Sequence, residues 1–247
     1  MLYQTDLLIA MRSSPVMQSE LAVKIHGAAM KAIPSAYAEK MHTNEYHPFS
    51  IFTTETEDGL RVRVSALCDE ASTIQEALSQ NPSIRIYTQQ GICDLPIQMQ
   101  NTAAPMTAGQ LAEQIPENGC RLIFATPAMI RIHSRPTARP DICSYFYSVI
   151  CKYNTFENDK LDYAEFQEAF RAVQFGSYQL NSVSYQITGR TFPGMTGFCD
   201  LYFPRNAVQN HLLRLCLGYA SYCGVGSKTT QGMGGILPEP LPNGSGN

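Results

Sequence analysis

The chain has 247 residues, 44% hydrophobic and 16% charged, which is enough to bury real cores and excludes a disordered polymer. Its net charge of −3 excludes nucleic-acid binding driven by a global basic excess, so any such surface has to be local. No apolar run approaches the ~20 residues that cross a bilayer, and the N-terminus MLYQTDLLIAMRSS lacks a basic segment followed by a cleavage site. The expectation is a cytoplasmic protein with no membrane partner.

In chain order, the first half reads strand, helix, strand, strand, helix, strand. Leu7 to Met11 is a short apolar strand, and Ser19 to Ile33 a helix with Leu21, Ile25, Ala28 and Ala32 on one stripe. Pro34 ends or bends that helix. Phe49 to Thr54 and Leu60 to Leu67 are strands joined by the turn Glu57-Asp58-Gly59. In the second of them, Val62 and Val64 alternate with Arg61 and Arg63, giving one wet and one buried face. Ser72 to Ser79 is a short helix stopped by Asn81-Pro82. Ile84 to Tyr87 with Ile92 to Met99 supplies the last strand or hairpin.

The second half repeats the order. Arg121 to Ala125 is a strand running into Thr126-Pro127 and a second extended piece, Met129 to Ile132. Ile142 to Tyr153 is a helix, and Ser182 to Thr188 and Gly197 to Phe203 are strands. The helix from Arg205 to Cys223 carries Val208, Leu212, Leu215, Tyr219 and Tyr222 at steps of three and four, and Gly224 ends it. A final strand spans Gly232 to Leu237. Two βαββαβ units in series predict an α+β protein of two tandem ferredoxin-like (RRM-like) domains, 1–117 and 118–238, with a flexible tail at 239–247.

The cysteines (Cys68, Cys93, Cys120, Cys143, Cys151, Cys199, Cys216 and Cys223) contain no C-x-x-C pair, so they read as free thiols rather than as a zinc site. The stretch NTFENDKLDYAE, Asn154 to Glu165, places Asp162 and Glu165 like the end of a calcium loop. Phe156 at a ligand position and Asp159 at the glycine position argue against it.

Two segments carry chemistry. GVGSKTTQGMGG, Gly224 to Gly235, surrounds Lys228 with Gly224, Gly226, Gly232 and Gly234 and with the hydroxyls of Ser227, Thr229 and Thr230. Glycine lets successive amides turn into one concavity that suits phosphate oxygens, and Lys228 adds a point charge. The glycine and lysine spacing is not that of a P-loop, and the loop follows a helix rather than opening one, which excludes a dinucleotide fingerprint. Phosphates there face the negative end of the preceding helix. A hairpin serving only the turn is the structural alternative.

The other segment holds His26, His42 and His47, with Lys40 and Tyr46 nearby. Imidazole suits proton transfer in both directions near neutrality, and RNA cleaves itself once its 2′-hydroxyl loses a proton and the leaving 5′-oxygen gains one. For His26, a core-edge histidine on the first helix is the competing reading. For His42, in the loop AEKMHTNEYHPF, it is a surface histidine. His42, Glu45 and His47 match no common zinc spacing. His133 and His211 lack such context.

Taken together, GRTFPG (189–194), GFCDLYFPRN (197–206), the long helix and GVGSKTTQGMGG resemble the CRISPR repeat-processing endoribonuclease family of the Cas-six type. LIFATPAMIRI (122–132), KIHGAAMKAI and MHTNEYHPFSIF add to the likeness, which spans nearly the whole chain. The resemblance implies tandem ferredoxin-like domains and cleavage of CRISPR repeat RNA (pre-crRNA) into guide units, with 5′-hydroxyl and 2′,3′-cyclic phosphate ends and no metal or cofactor. It maps His42 to the catalytic position, with His26, His47 and Lys40 as helpers. It also assigns Gly224, Gly226, Ser227, Lys228, Thr229, Thr230, Gly232 and Gly234 to RNA binding. Met30 stands where some relatives carry tyrosine. The alternative within the family is a repeat-RNA-binding subunit that does not cut. A homodimer and association with other CRISPR effector subunits both stay open. Arg61, Arg63, Arg131, Arg135 and Arg139 are candidate phosphate contacts, against a merely solvated charged face.

Overall fold

The computed structural model describes residues 1–9, 18–43 and 45–242, without the side chains of residues 18, 19, 42 and 43. Its first half runs β1 (Tyr3–Ile9), α1 (Gln18–Ala32), α2 (Ser35–Thr43), β2 (Phe49–Thr56), β3 (Gly59–Ala66), α3 (Ser72–Ser79), β4 (Ser83–Thr88) and β5 (Gly91–Thr102). After α4 (Ala108–Gln114), the second half follows as β6 (Gly119–Ala128), β7 (Ile130–Ile132), β8 (Arg135–Thr137), α5 (Ile142–Tyr145), α6 (Tyr147–Phe156) and α7 (Tyr163–Arg171). It closes with β9 (Gln174–Ile187), β10 (Arg190–Tyr202), α8 (Ala207–Cys223) and β11 (Ile236–Glu239).

The strands form two large antiparallel sheets, β2-β3-β1-β5-β4 and β11-β6-β10-β9, and a separate β7-β8 hairpin. In each large sheet, the first strand of the unit lies between its third and its last, the ferredoxin-like order, with β4 added as an edge in the first. The fold is therefore the tandem ferredoxin-like α+β arrangement that the sequence predicts. Burial drives it. Val62 and Val64 of β3 are fully buried beside Leu7 and Ile9 of β1, and Leu21, Ile25 and Ala29 of α1 close that core. Leu122 and Phe124 of β6, Cys199 and Leu201 of β10, and Leu213 and Cys216 of α8 build the second.

Several expectations need correction. Residues 10–11 of the first predicted strand lie outside the described residues, and β1 begins four residues before Leu7. Pro34 ends α1 but starts α2, because its carbonyl accepts from the amides of Tyr37 and Ala38. His42 therefore sits in the last turn of a helix, not in a loop. The predicted helix 142–153 is two pieces, α5 and α6, meeting at Phe146. β6 continues past the expected end at Ala125, through Thr126-Pro127 to Ala128. On α8, Val208 is 78% exposed, so the apolar stripe starts further along the helix. Of the expected tail, Glu239 pairs with Arg121 in β11, while 243–247 lie outside the described residues. Among the described residues, no helix is long and apolar enough to cross a membrane.

The two halves meet along β2. Its Phe49 and Ile51 face the first core, while Ser50 and Phe52 face the second half. The Ser50 hydroxyl donates to the Tyr222 carbonyl of α8 over 2.5 Å, and the Phe52 ring lies against Gly235.

Candidate functional site: a cleft between the two halves

Beside this seam opens a cleft of about 630 Å³. One wall is the segment Glu45, Tyr46 and His47 that leads into β2. Another is the turn Gly226 to Gln231, with Lys228 at its centre. Arg131 on β7 and Tyr147, Ser148 and Lys152 on α6 complete it. The histidine segment and the glycine-rich segment, 180 residues apart in sequence, thus share one cavity.

His47 and His26 both pack on Phe49. The His26 ring is stacked on it at 5.8 Å and 8°, and the His47 ring is tilted over it at 6.1 Å and 54°. His26 therefore occupies the core-edge place its helix position predicts, one aromatic ring away from the cleft wall. His42 is the penultimate residue of α2, and its side chain is outside the described residues. Lys40 is directed elsewhere. Its ammonium pairs with Glu70 at 2.6 and 2.9 Å, and among the described residues it is not part of the cleft lining.

The glycine-rich segment is built differently from an open phosphate cradle. Most of its amides are already engaged: Gly224 on Ala220, Val225 on Gly234, Gly226 on the Ser148 hydroxyl, Ser227 on Met129, Gly234 on Pro127 and Gly235 on the Thr126 hydroxyl. Its glycines serve close approach. At Gly226 (φ +73°) a Cβ would overlap the Met129 carbonyl oxygen, and at Gly232 (φ +95°) it would overlap the Tyr185 hydroxyl and the Ala22 methyl of α1. This corrects the expectation that successive loop amides point into the cavity. What the segment offers the cleft is the Lys228–Thr230 corner. Lys228 adopts a left-handed backbone (φ +62°) and its carbonyl accepts from Gln231 and Met233. Its ammonium lies 3.2 Å from the Gln231 side-chain oxygen and 5.1 Å above the Phe192 ring. Partial burial first, then Arg131 and Arg190, hold its pKa below the usual lysine range.

Lys152 was not anticipated. It is 5% exposed, and its ammonium donates to the Cys223 carbonyl at 2.6 Å and to the Thr229 hydroxyl at 2.7 Å. A cation thus sits on the C-terminus of α8, cancelling the negative helix end that the sequence sets against phosphate binding there. Burial lowers its pKa, and the Cys223 thiol opposes that. A lone lysine in the apolar run YSVICKY was the readable signal. Among the candidate arginines, Arg131 lines the cleft, whereas Arg63 is paired with Asp6 at 2.7 and 2.8 Å. Arg61, Arg135 and Arg139 are exposed.

Two ferredoxin-like units thus enclose a cleft of imidazole, hydroxyl, aromatic and cationic groups. A family model described as CRISPR-associated endoribonuclease Cas6 matches residues 122–236. Over 228 residues the chain is 21% identical to the CRISPR-associated endoribonuclease Cas6 of Streptococcus thermophilus, covering 89% of this chain and 92% of that protein. Over 235 residues it is 21% identical to Cas6 of Mycobacterium tuberculosis, covering 90% of this chain and 72% of that one. The solved Cas6 product complex of Thermus thermophilus shares the fold with a TM-score of 0.75 at 20% identity, over 96% of this chain and 100% of that chain. By sequence and by fold, the chain is similar to the CRISPR-associated endoribonucleases Cas6.

Proposed function

We propose that the chain cuts CRISPR repeat RNA by metal-independent transesterification in the cleft between its halves. The observation that carries this reading is that the His47 segment and the Lys228–Thr230 corner line one cavity. In the reaction, the 2′-oxygen bonds to the adjacent phosphorus as the bond to the 5′-oxygen breaks. One proton leaves the 2′-hydroxyl and one is delivered to the departing 5′-oxygen, which gives a 2′,3′-cyclic phosphate and a 5′-hydroxyl. Imidazole is suited to both transfers. His42, at the end of α2, is the candidate proton carrier. His47 stands in the cleft wall, and His26 supports His47 through Phe49. Lys228 and Arg131 meet the charge on the phosphate, with Ser227, Thr229 and Thr230 as hydroxyl partners. Gly224, Gly226, Gly232 and Gly234 act by shaping the loop. Lys40, held by Glu70, is a weaker helper than its sequence position implies.

The test is cleavage of repeat RNA in EDTA, with product ends identified. His42→Ala is expected to lose ~10²–10⁴-fold in rate with RNA binding retained, and the rate should follow an imidazole titration between about pH 5 and 8. Loss of activity on chelation, or a flat pH profile, overturns the mechanism. Tight binding without product, unchanged in His42→Ala, assigns the chain instead to a subunit that holds the RNA without cutting.

A further inference from the structure

Helix α6 divides its side chains between two environments. Phe146 at its N-cap, Val149, Ile150 and Tyr153 are buried in the second core. Tyr147, Ser148 and Lys152 line the cleft. Ser148 and Lys152 have structural partners there, the Gly226 amide and the Cys223 and Thr229 oxygens. Tyr147 is different. It is 55% exposed, a large aromatic surface left to solvent inside the cleft. Its ring is nonetheless held in place, because Tyr163 meets it edge-on at 5.1 Å and 78°. Tyr163 in turn stacks on Phe166 of the core at 6.3 Å and 16°. The neighbouring Cys151 thiol first, then burial and Glu45, push the Tyr147 phenol above its usual pKa, so it stays neutral near pH 7.

An aromatic face that is fixed from behind and open in front, in a cavity with Arg131 and Lys228, is suited to an unpaired nucleobase whose phosphate those cations hold. We propose that Tyr147 is a stacking platform for one unpaired nucleotide of the bound RNA, next to the phosphate at the Lys228 corner. This rests on the reading of the cleft as the RNA site and adds to it a requirement. The base seated on Tyr147 has to leave any hairpin stem, so the RNA is single-stranded or splayed at that step. Tyr147 touches the RNA without taking part in proton transfer, so it contributes to binding and register.

The test uses repeat RNA with a 2′-deoxy substitution at the cut position to prevent cleavage, and 2-aminopurine placed in turn at each flanking nucleotide. Binding to the wild-type protein is expected to quench the probe at one position, through stacking. Tyr147→Phe should preserve the quench, and Tyr147→Ala should abolish it and weaken binding by about 5- to 150-fold. Removing that base from the RNA should cost a similar factor, with Tyr147→Ala then adding nothing. A purely structural role for Tyr147 would instead give losses that multiply. If the wild-type protein binds and cuts RNA while no probe position responds to Tyr147→Ala, the stacking proposal falls and the reading of the cleft stands. If the wild-type protein binds no repeat RNA, both fall.

Discussion

Lys152 holds together groups that otherwise conflict. The last carbonyls of α8 need donors, and the Thr229 hydroxyl is buried. Replacing Lys152 by Met removes the desolvation cost of a buried ammonium but strands two oxygens, at about 1–3 kcal/mol each. We expect Lys152→Met to lose about 1–3 kcal/mol net, a fall in Tm of several degrees in a thermal melt. It should also weaken RNA binding, because the Lys228 corner loses its support. An unchanged Tm would mean that the bridge contributes nothing. The role of Lys152 was hidden in the sequence because a lysine on a helix is ordinarily solvated, and only the packing of α6 against α8 buries it. The other residue-scale lesson is Asp162. The sequence sets it in an imperfect calcium loop, whereas its carboxylate caps α7 by accepting from the Ala164 amide at 2.7 Å.

Elements with one wet and one dry face were legible in the chain. β3, α3 and α1 fall within about a residue of their predicted limits, since alternation or a helical stripe marks them directly. Elements lacking that contrast were not. β9 starts at Gln174, eight residues before the predicted strand, because as an edge strand its first half is exposed and reads QFGSYQLN without alternation. α4 was missed although its capping box, Thr107 with Gln110, is written in the sequence. In the glycine-rich segment, the composition pointed to the right place but not to the reason, since most of its amides bond within the fold. Two glycines make this testable. Gly226→Ala combines a left-handed backbone with overlap on Met129, and should cost more than the ~1–2 kcal/mol of the backbone alone. Gly27 in α1 has nothing within 4 Å of a would-be Cβ, so Gly27→Ala should stabilise by about 0.5–1 kcal/mol. Chemical denaturation of both variants checks the pair. Equal effects would show that the loop is not strained as described.

For the molecule as a whole, a net charge of −3 gives no global pull on RNA, and Arg63 and Arg121 are held by Asp6 and Asp200. If Lys228, Arg131 and the nearby Arg190 carry the contact, the logarithm of affinity should fall with that of salt at a slope near −2, about −0.7 per phosphate on a single strand. Lys228→Met should remove about one such increment. A slope near −5 would place most of the contact on another surface. The sequence suggested the tandem architecture, but not that β2 serves both halves at once. That arrangement depends on which residues Phe52 and Ser50 meet across more than a hundred positions.

The seam has a consequence for how such a chain drifts. Gly232 lies against Ala22 and Gly235 against Phe52, with no room at either glycine for a Cβ. A side chain gained at Gly232 or Gly235 would have to be matched by a smaller one at Ala22 or Phe52, so substitutions at these glycines should arise in coupled pairs. Each half of the protein thereby restricts the evolution of the other.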